Sequence, residues 1–133
     1  MKIISRFLFL AFFTLLLTSC DPSHDIFFKN TTASNVKVKI NLERKGVLYD
    51  LEKMADKDSI VFNLPKDSTA SISLGIGTWT PKEIGKATNS IKTIEVETKD
   101  IKTIYKSKEA IHSILDKNVH GILFKSSIEI NVE

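Results

Sequence analysis

The chain has one cysteine, Cys20, so it cannot close a disulfide within itself and its fold must stand on buried apolar surface. Glycine is scarce, with five residues, and only Gly75 and Gly77 lie close together. That pair lacks the third glycine and the Lys-Ser/Thr step of a phosphate-cradling loop, and instead marks a strand end where glycine permits a bulge or bend. A strong charge of one sign is missing as well: 19 Lys and Arg stand against 16 Asp and Glu. The lysines are spaced singly, and Arg6 and Arg44 are the only arginines, so the basic stripe of a nucleic-acid binder is absent. Long hydrophobic runs are lacking too. Phe7–Leu17, broken only by Thr14, falls short of the roughly 20 apolar residues that cross a bilayer.

That run has Lys2 and Arg6 ahead of it and small residues behind it, the three-part build of an export signal. Asp21-Pro22 then stops any helical continuation. The four residues at the junction, Leu17-Thr18-Ser19-Cys20, closely resemble the lipobox of bacterial lipoproteins. The resemblance implies cleavage before Cys20, a diacylglycerol on its sulfur, and a membrane as the first partner, held by several acyl chains rather than one. It also implies a lipid-anchored protein of the cell envelope facing the periplasm or the exterior. Without residues 1–19 the chain keeps 17 basic and 16 acidic residues, a net charge of about +1. The lipidated cysteine, brief spacer, early Phe27-Phe28-Lys29-Asn30-Thr31-Thr32 segment and Lys- and Ile-rich remainder are similar to small lipoproteins of the Bacteroidota.

Three units follow: a signal over 1–19, a lipidated tether over 20–25, and one domain over 26–133. Period-two alternation dominates the domain. Ile26-Phe27-Phe28 opens it, and Asn30–Asn35 is a polar turn cluster. Val36, Val38, Ile40 and Leu42 alternate with Lys37, Lys39, Asn41 and Glu43, a strand with one buried and one wet face. Val47-Leu48-Tyr49 is expected to return as its hairpin partner after Gly46. Ile60, Phe62 and Leu64, then Ala70, Ile72, Leu74 and Ile76, predict a second hairpin around Pro65–Ser68. An irregular stretch to about Ser90 precedes strands at Ile94–Val96 and Ile101–Ile104. Ile111, Ile114 and Leu115 switch to helical spacing, with Ser107 as N-cap and Gly121 as stop. Alternation from Ile122 through Phe124, Ser126, Ile128 and Ile130 to Val132 predicts one long final strand.

These elements predict a mainly β protein: an antiparallel β-sandwich, immunoglobulin-like or similar, of about seven to eight strands with one short helix near the C-terminus.

Candidate functional residues are few. Trp79, the lone tryptophan, would serve as a partner contact if exposed and would cap the core if buried. His112, Asp116 and His120 share a four-residue spacing that metal ligands use on a helix, but a fourth ligand is missing and a solvated His112 is the simpler expectation. Glu95 and Glu97 share one strand face, the pattern of a wet outer surface. No serine sits on an elbow such as Gly-x-Ser-x-Gly, so neither catalytic residues nor a cofactor is expected. Asp58-Ser59-Ile60 and Asp67-Ser68-Thr69 match a short pattern that Bacteroidota glycosylate on the hydroxyl. The expected function is a non-catalytic binding or structural role toward an envelope protein, with the final strand pairing to it if that strand is an edge. The alternative is an inhibitor or immunity-type protein that acts through a Gly75–Asn89 loop.

Overall fold

A computed structural model describes residues 22–46, 48–121 and 124–133. The fold is mainly β, two four-stranded sheets packed face to face. The strands are β1 (Ser23–Asn30), β2 (Val36–Leu42), β3 (Ser59–Leu64), β4 (Thr69–Ile76), β5 (Ile91–Glu97), β6 (Lys102–Tyr105), β7 (Val119–His120) and β8 (Ser127–Val132). Three helices join them: α1 (Tyr49–Met54), α2 (Pro81–Ser90) and α3 (Lys108–Lys117).

The hydrogen-bonded orders are β4-β1-β8-β7 and β3-β2-β5-β6. The chain changes sheet between β6 and β7 and, before that, between β1 and β2, between β3 and β4, and between β4 and β5. This interleaving is that of strands B, C, C′, E, F and G of an immunoglobulin sandwich, and β8 takes the flank of β1 that strand A holds in that fold. Here, however, β8 runs parallel to β1, from Asp25 opposite Ser127 to Asn30 opposite Val132, so the sandwich is not wholly antiparallel.

Alternation explains which face is inside. Val36, Val38, Ile40 and Leu42 of β2 are all buried and meet Ile26, Phe28, Ile72, Ile128 and Ile130 from the other sheet. Ile111 and Leu115 of α3, and Ile84 and Ala87 of α2, add the helical share of the core. Ser107 caps α3 as its sequence predicts, its Oγ accepting from the Ala110 amide at 3.1 Å.

Several expectations are corrected. Leu48 and Tyr49 do not return as a strand: Tyr49 starts α1, which Leu51, fully buried, holds to the domain; Val47 lies outside the described residues. The Gly75–Asn89 segment is not a loop for most of its length. Thr80 Oγ1 accepts from the Glu83 amide at 3.2 Å, Pro81 occupies the first turn, and α2 follows, since proline's fixed φ and missing N–H cost nothing there. The last strand begins at Ser127, not Ile122; Phe124 is exposed, and Ile122 and Leu123 lie outside the described residues. Nor is β8 an open edge at its start, because β1 flanks its whole length and β7 pairs with Ser127 and Ile128; among the described residues only Glu129–Val132 have a strand on one side alone. Finally, Ser23–Asp25 belong to β1 rather than to a tether, which places the start of the folded domain three residues after Cys20.

One bulge changes a side-chain assignment. Ser23 pairs with Ile76 and Asp25 with Ser73, so β4 carries one extra residue there, with Gly75 at φ +83. An extra residue inverts parity. Leu74 still packs against the core, but Ile76, inward by simple alternation, emerges 70% exposed.

Candidate functional site

The end of the sandwich at which the chain enters β1 is built from three segments. The Pro22 carbonyl accepts from the Gly77 amide at 3.0 Å, and the Lys125 carbonyl accepts from the Trp79 amide. The stretch from Gly77 to Trp79 thus crosses the start of β1 and reaches the residues that lead into β8. Trp79 is 2% exposed, and its Nε1 donates to the Asp25 carbonyl at 3.2 Å. The indole therefore closes this end of the core. Of the two expectations for Trp79, its burial fits the cap on the core and not the exposed partner contact, and most of the Gly75–Asn89 segment expected as a loop is α2.

His24 lies against that indole, ring centroids 3.9 Å apart and planes at 44°. Its Nε2 is buried with no hydrogen-bond partner among the described residues. Desolvation, the largest influence, holds its pKa below the ordinary histidine value; Glu83, the Leu74 backbone and Asp25 pull weakly the other way. The parity that puts Ile26 and Phe28 inside also puts His24 and Asn30 inside, a signal the sequence carries in plain alternation.

At the opposite end Asn30 is fully buried. Its Nδ2 donates to the carbonyls of Ser34, Leu64 and Pro65 at 2.8, 3.0 and 3.0 Å. Its Oδ1 accepts from the Thr32 amide and hydroxyl at 2.9 and 2.8 Å.

The metal-spaced residues do not converge. α3 ends at Lys117 with Asn118 as C-cap, and His120 belongs to β7, so the helical register that aligns His112 with Asp116 does not extend to His120. Among the described residues, no group of three or more His, Cys, Asp or Glu could hold a metal ion. His112 instead borders a shallow cleft of about 410 Å³ with Lys108 and Glu109. Lys108 Nζ there donates to Glu43 Oε1 at 3.0 Å and to the Thr88 and Ile91 carbonyls at 3.2 and 2.7 Å, satisfying carbonyls at the end of α2.

A wider cleft, about 640 Å³, lies over β2 and β5 and includes Asn41, Arg44, Asp58, Lys92 and Glu95. Several of its polar groups bind one another. Asn41 Nδ2 donates to Thr93 Oγ1 at 2.6 Å and to Glu95 Oε1 at 2.8 Å, and Lys102 Nζ stands 3.0 Å from Glu95 Oε2. The hydrogen bond from Lys102 is the main cause that holds the Glu95 carboxyl below its usual range. Glu97 is exposed on the strand end. Of the two serine patterns, Ser59 opens β3 with its backbone bridged to Asp56, and Ser68 Oγ donates to the Pro65 carbonyl at 2.7 Å within its turn.

Cys20 lies outside the described residues. No helix among the described residues is long and apolar enough to cross a membrane. No family model matches the sequence, and neither a curated protein nor a solved structure matches it.

Proposed function

We propose that this protein is a lipid-anchored component of a bacterial cell envelope, held by acyl chains on Cys20, whose sandwich domain performs a non-catalytic binding or structural task toward another envelope protein. The carrying observation is the position of the lipobox-like Leu17-Thr18-Ser19-Cys20 directly behind an export-type apolar run and three residues ahead of the first strand. A cysteine so placed can be acylated while the domain stands immediately outside the bilayer. Only that cysteine can supply the thioether sulfur, and two or three acyl chains hold a protein where a single fatty acid exchanges.

The non-catalytic part of this reading rests on the polar groups of the clefts. Among those traced above, Asn41, Thr93, Glu95 and Lys102 bind one another and Lys108 binds Glu43 and backbone carbonyls, arrangements that support a structural role for them. The reading is tested by replacing Cys20 with Ala in the full chain and supplying a fatty-acid analogue. The parent should incorporate the label and sediment with membranes; the variant should do neither. Continued labelling of the variant would overturn the anchor, and pull-down with the acylated parent as bait would identify the binding partner.

A further inference from the structure

Several large apolar side chains stand in solvent, and two of them carry an inference that rests on the anchor at Cys20. We propose that the end of the sandwich bearing Ile76 and Phe124 seats against the surface of the bilayer, so that these two side chains enter the headgroup boundary and fix the orientation of the domain on its membrane.

The first support is the length of chain available. Three residue steps separate Cys20 from Ser23, a span of at most about 11 Å for a fully extended chain. An acylated Cys20 therefore holds the start of β1 close to the headgroups. Ile76 pairs with Ser23 on one side of β1. Phe124 precedes Lys125, whose carbonyl receives the Trp79 amide on the other side. With strands about 4.8 Å apart, the two residues flank the point at which the tether leaves the domain.

The second support is their exposure, 70% for Ile76 and 59% for Phe124. Ile76 is outside because of a specific device, the extra residue in β4 with Gly75 at φ +83. Without the bulge, alternation would bury it. Phe124 likewise escapes the alternation of β8 by preceding it.

The third support is charge. Lys125 is exposed next to Phe124, and Lys82 lies exposed in the first turn of α2, which the bond from Trp79 brings to the same end. Both suit an anionic headgroup layer. Of the acids nearby among the described residues, Glu83 is paired with Lys86 at 2.8 Å and Asp25 is half-buried in β1; Asp21, next to Cys20 in the sequence, sets one negative charge against the lysines. Apolar side chains flanked by lysine are the composition of a surface that lies on a membrane. They add a second, orienting signal to an anchor that already holds.

Ile101 provides an internal control. It is 66% exposed but sits in the turn from β5 to β6, opposite the start of β2, at the far end of the sandwich. In the full acylated chain, single cysteines at Ile76→Cys, Phe124→Cys and Ile101→Cys would each carry an environment-sensitive fluorophore. The proteins would be placed in vesicles of phosphatidylethanolamine and phosphatidylglycerol containing nitroxide-labelled lipid. Quenching at positions 76 and 124 should exceed that at 101 several-fold. All three sites are on the surface, so folding is retained and circular dichroism checks it.

Equal quenching at the three sites in protein that carries the fatty-acid label would overturn the membrane contact while leaving the anchor intact. Absence of the fatty-acid label, with the fluorophore also attaching to a free Cys20, would overturn both. Positions 76 and 124 unquenched in vesicles, but shielded from a water-soluble maleimide in whole membranes, would assign this end to a protein partner and reject the bilayer as its occupant.

Discussion

Asn30 and Leu64 stand 34 residues apart in the chain, yet the Nδ2 of Asn30 donates to the Leu64 carbonyl at 3.0 Å in a buried setting. Asn30 ends β1 in one sheet and Leu64 ends β3 in the other, so this one amide ties the two sheets together where the chain crosses between them. Its remaining bonds hold the Asn30–Ser34 turn and the Pro65 turn in place.

Asn30→Ala should therefore cost about 2 to 4 kcal/mol, because it leaves buried carbonyls unpaired rather than merely removing a favourable bond. Asn30→Asp should also destabilise, since a carboxylate cannot donate to three carbonyls. Urea midpoints with unchanged slopes would measure both; a loss below about half a kcal/mol for Asn30→Ala would mean that solvent satisfies these carbonyls.

His24 sets a pH dependence. Its pKa in the folded protein is lowered from 6.5 by desolvation, so below that value the unfolded chain binds more protons and folding weakens as pH falls toward the folded-state pKa. Above pH 6.5 the contribution is constant. His24→Phe, which keeps an aromatic ring against Trp79, should flatten the stability profile between pH 7.5 and pH 5 relative to the parent. Parallel profiles in urea titrations at the two pH values would refute the assignment to His24.

The parity of β8 makes a paired prediction. Ile130 is 3% exposed and Asn131 is exposed. Ile130→Ala should cost about 2 to 4 kcal/mol through the cavity it leaves, and Asn131→Ala should stay within about 0.5 kcal/mol. Thermal or denaturant midpoints read the contrast.

Two glycines should respond with opposite signs. Gly85 lies inside α2 with a helical backbone and open space where a Cβ would go, so Gly85→Ala should stabilise by up to about 1 kcal/mol. At Gly121, φ is +145 and a Cβ would overlap the Phe124 carbonyl oxygen. Gly121→Ala should destabilise by more than about 1 kcal/mol, and a thermal shift assay is enough to separate the two.

Much of the sandwich was legible because period-two alternation is local. β2 runs Val36–Leu42 with the four expected residues inside, and α3 was marked by both its spacing and its cap. What escaped has physical reasons. At six residues, α1 is too short to be helical on its own; it forms because Leu51 finds a place in the core. The start of α2 did carry a signal, Thr80 followed by Pro81 and by Glu83 at the third position, which is a capping-box pattern. Ile76 was misassigned because a bulge inverts parity without altering composition. The pairing of β1 with β8 joins residues about a hundred positions apart, and no local pattern encodes it. Of the end that holds Trp79 and His24, the sequence leaves Trp79 open between a partner contact and a cap on the core, while the alternation of β1 carries the burial of His24.

The parallel alignment of β1 and β8 has a mechanical meaning. The start of β1 lies at one end of the sandwich and the finish of β8, next to Glu133, lies at the other. A pull applied between these two points acts along both strands in opposite directions. It loads the hydrogen bonds of the ladder together, in shear, instead of opening them one at a time from an end. A domain held at its N-terminal side and drawn from its C-terminal side would thus resist force through its two terminal strands, with the rest of the fold carried between them.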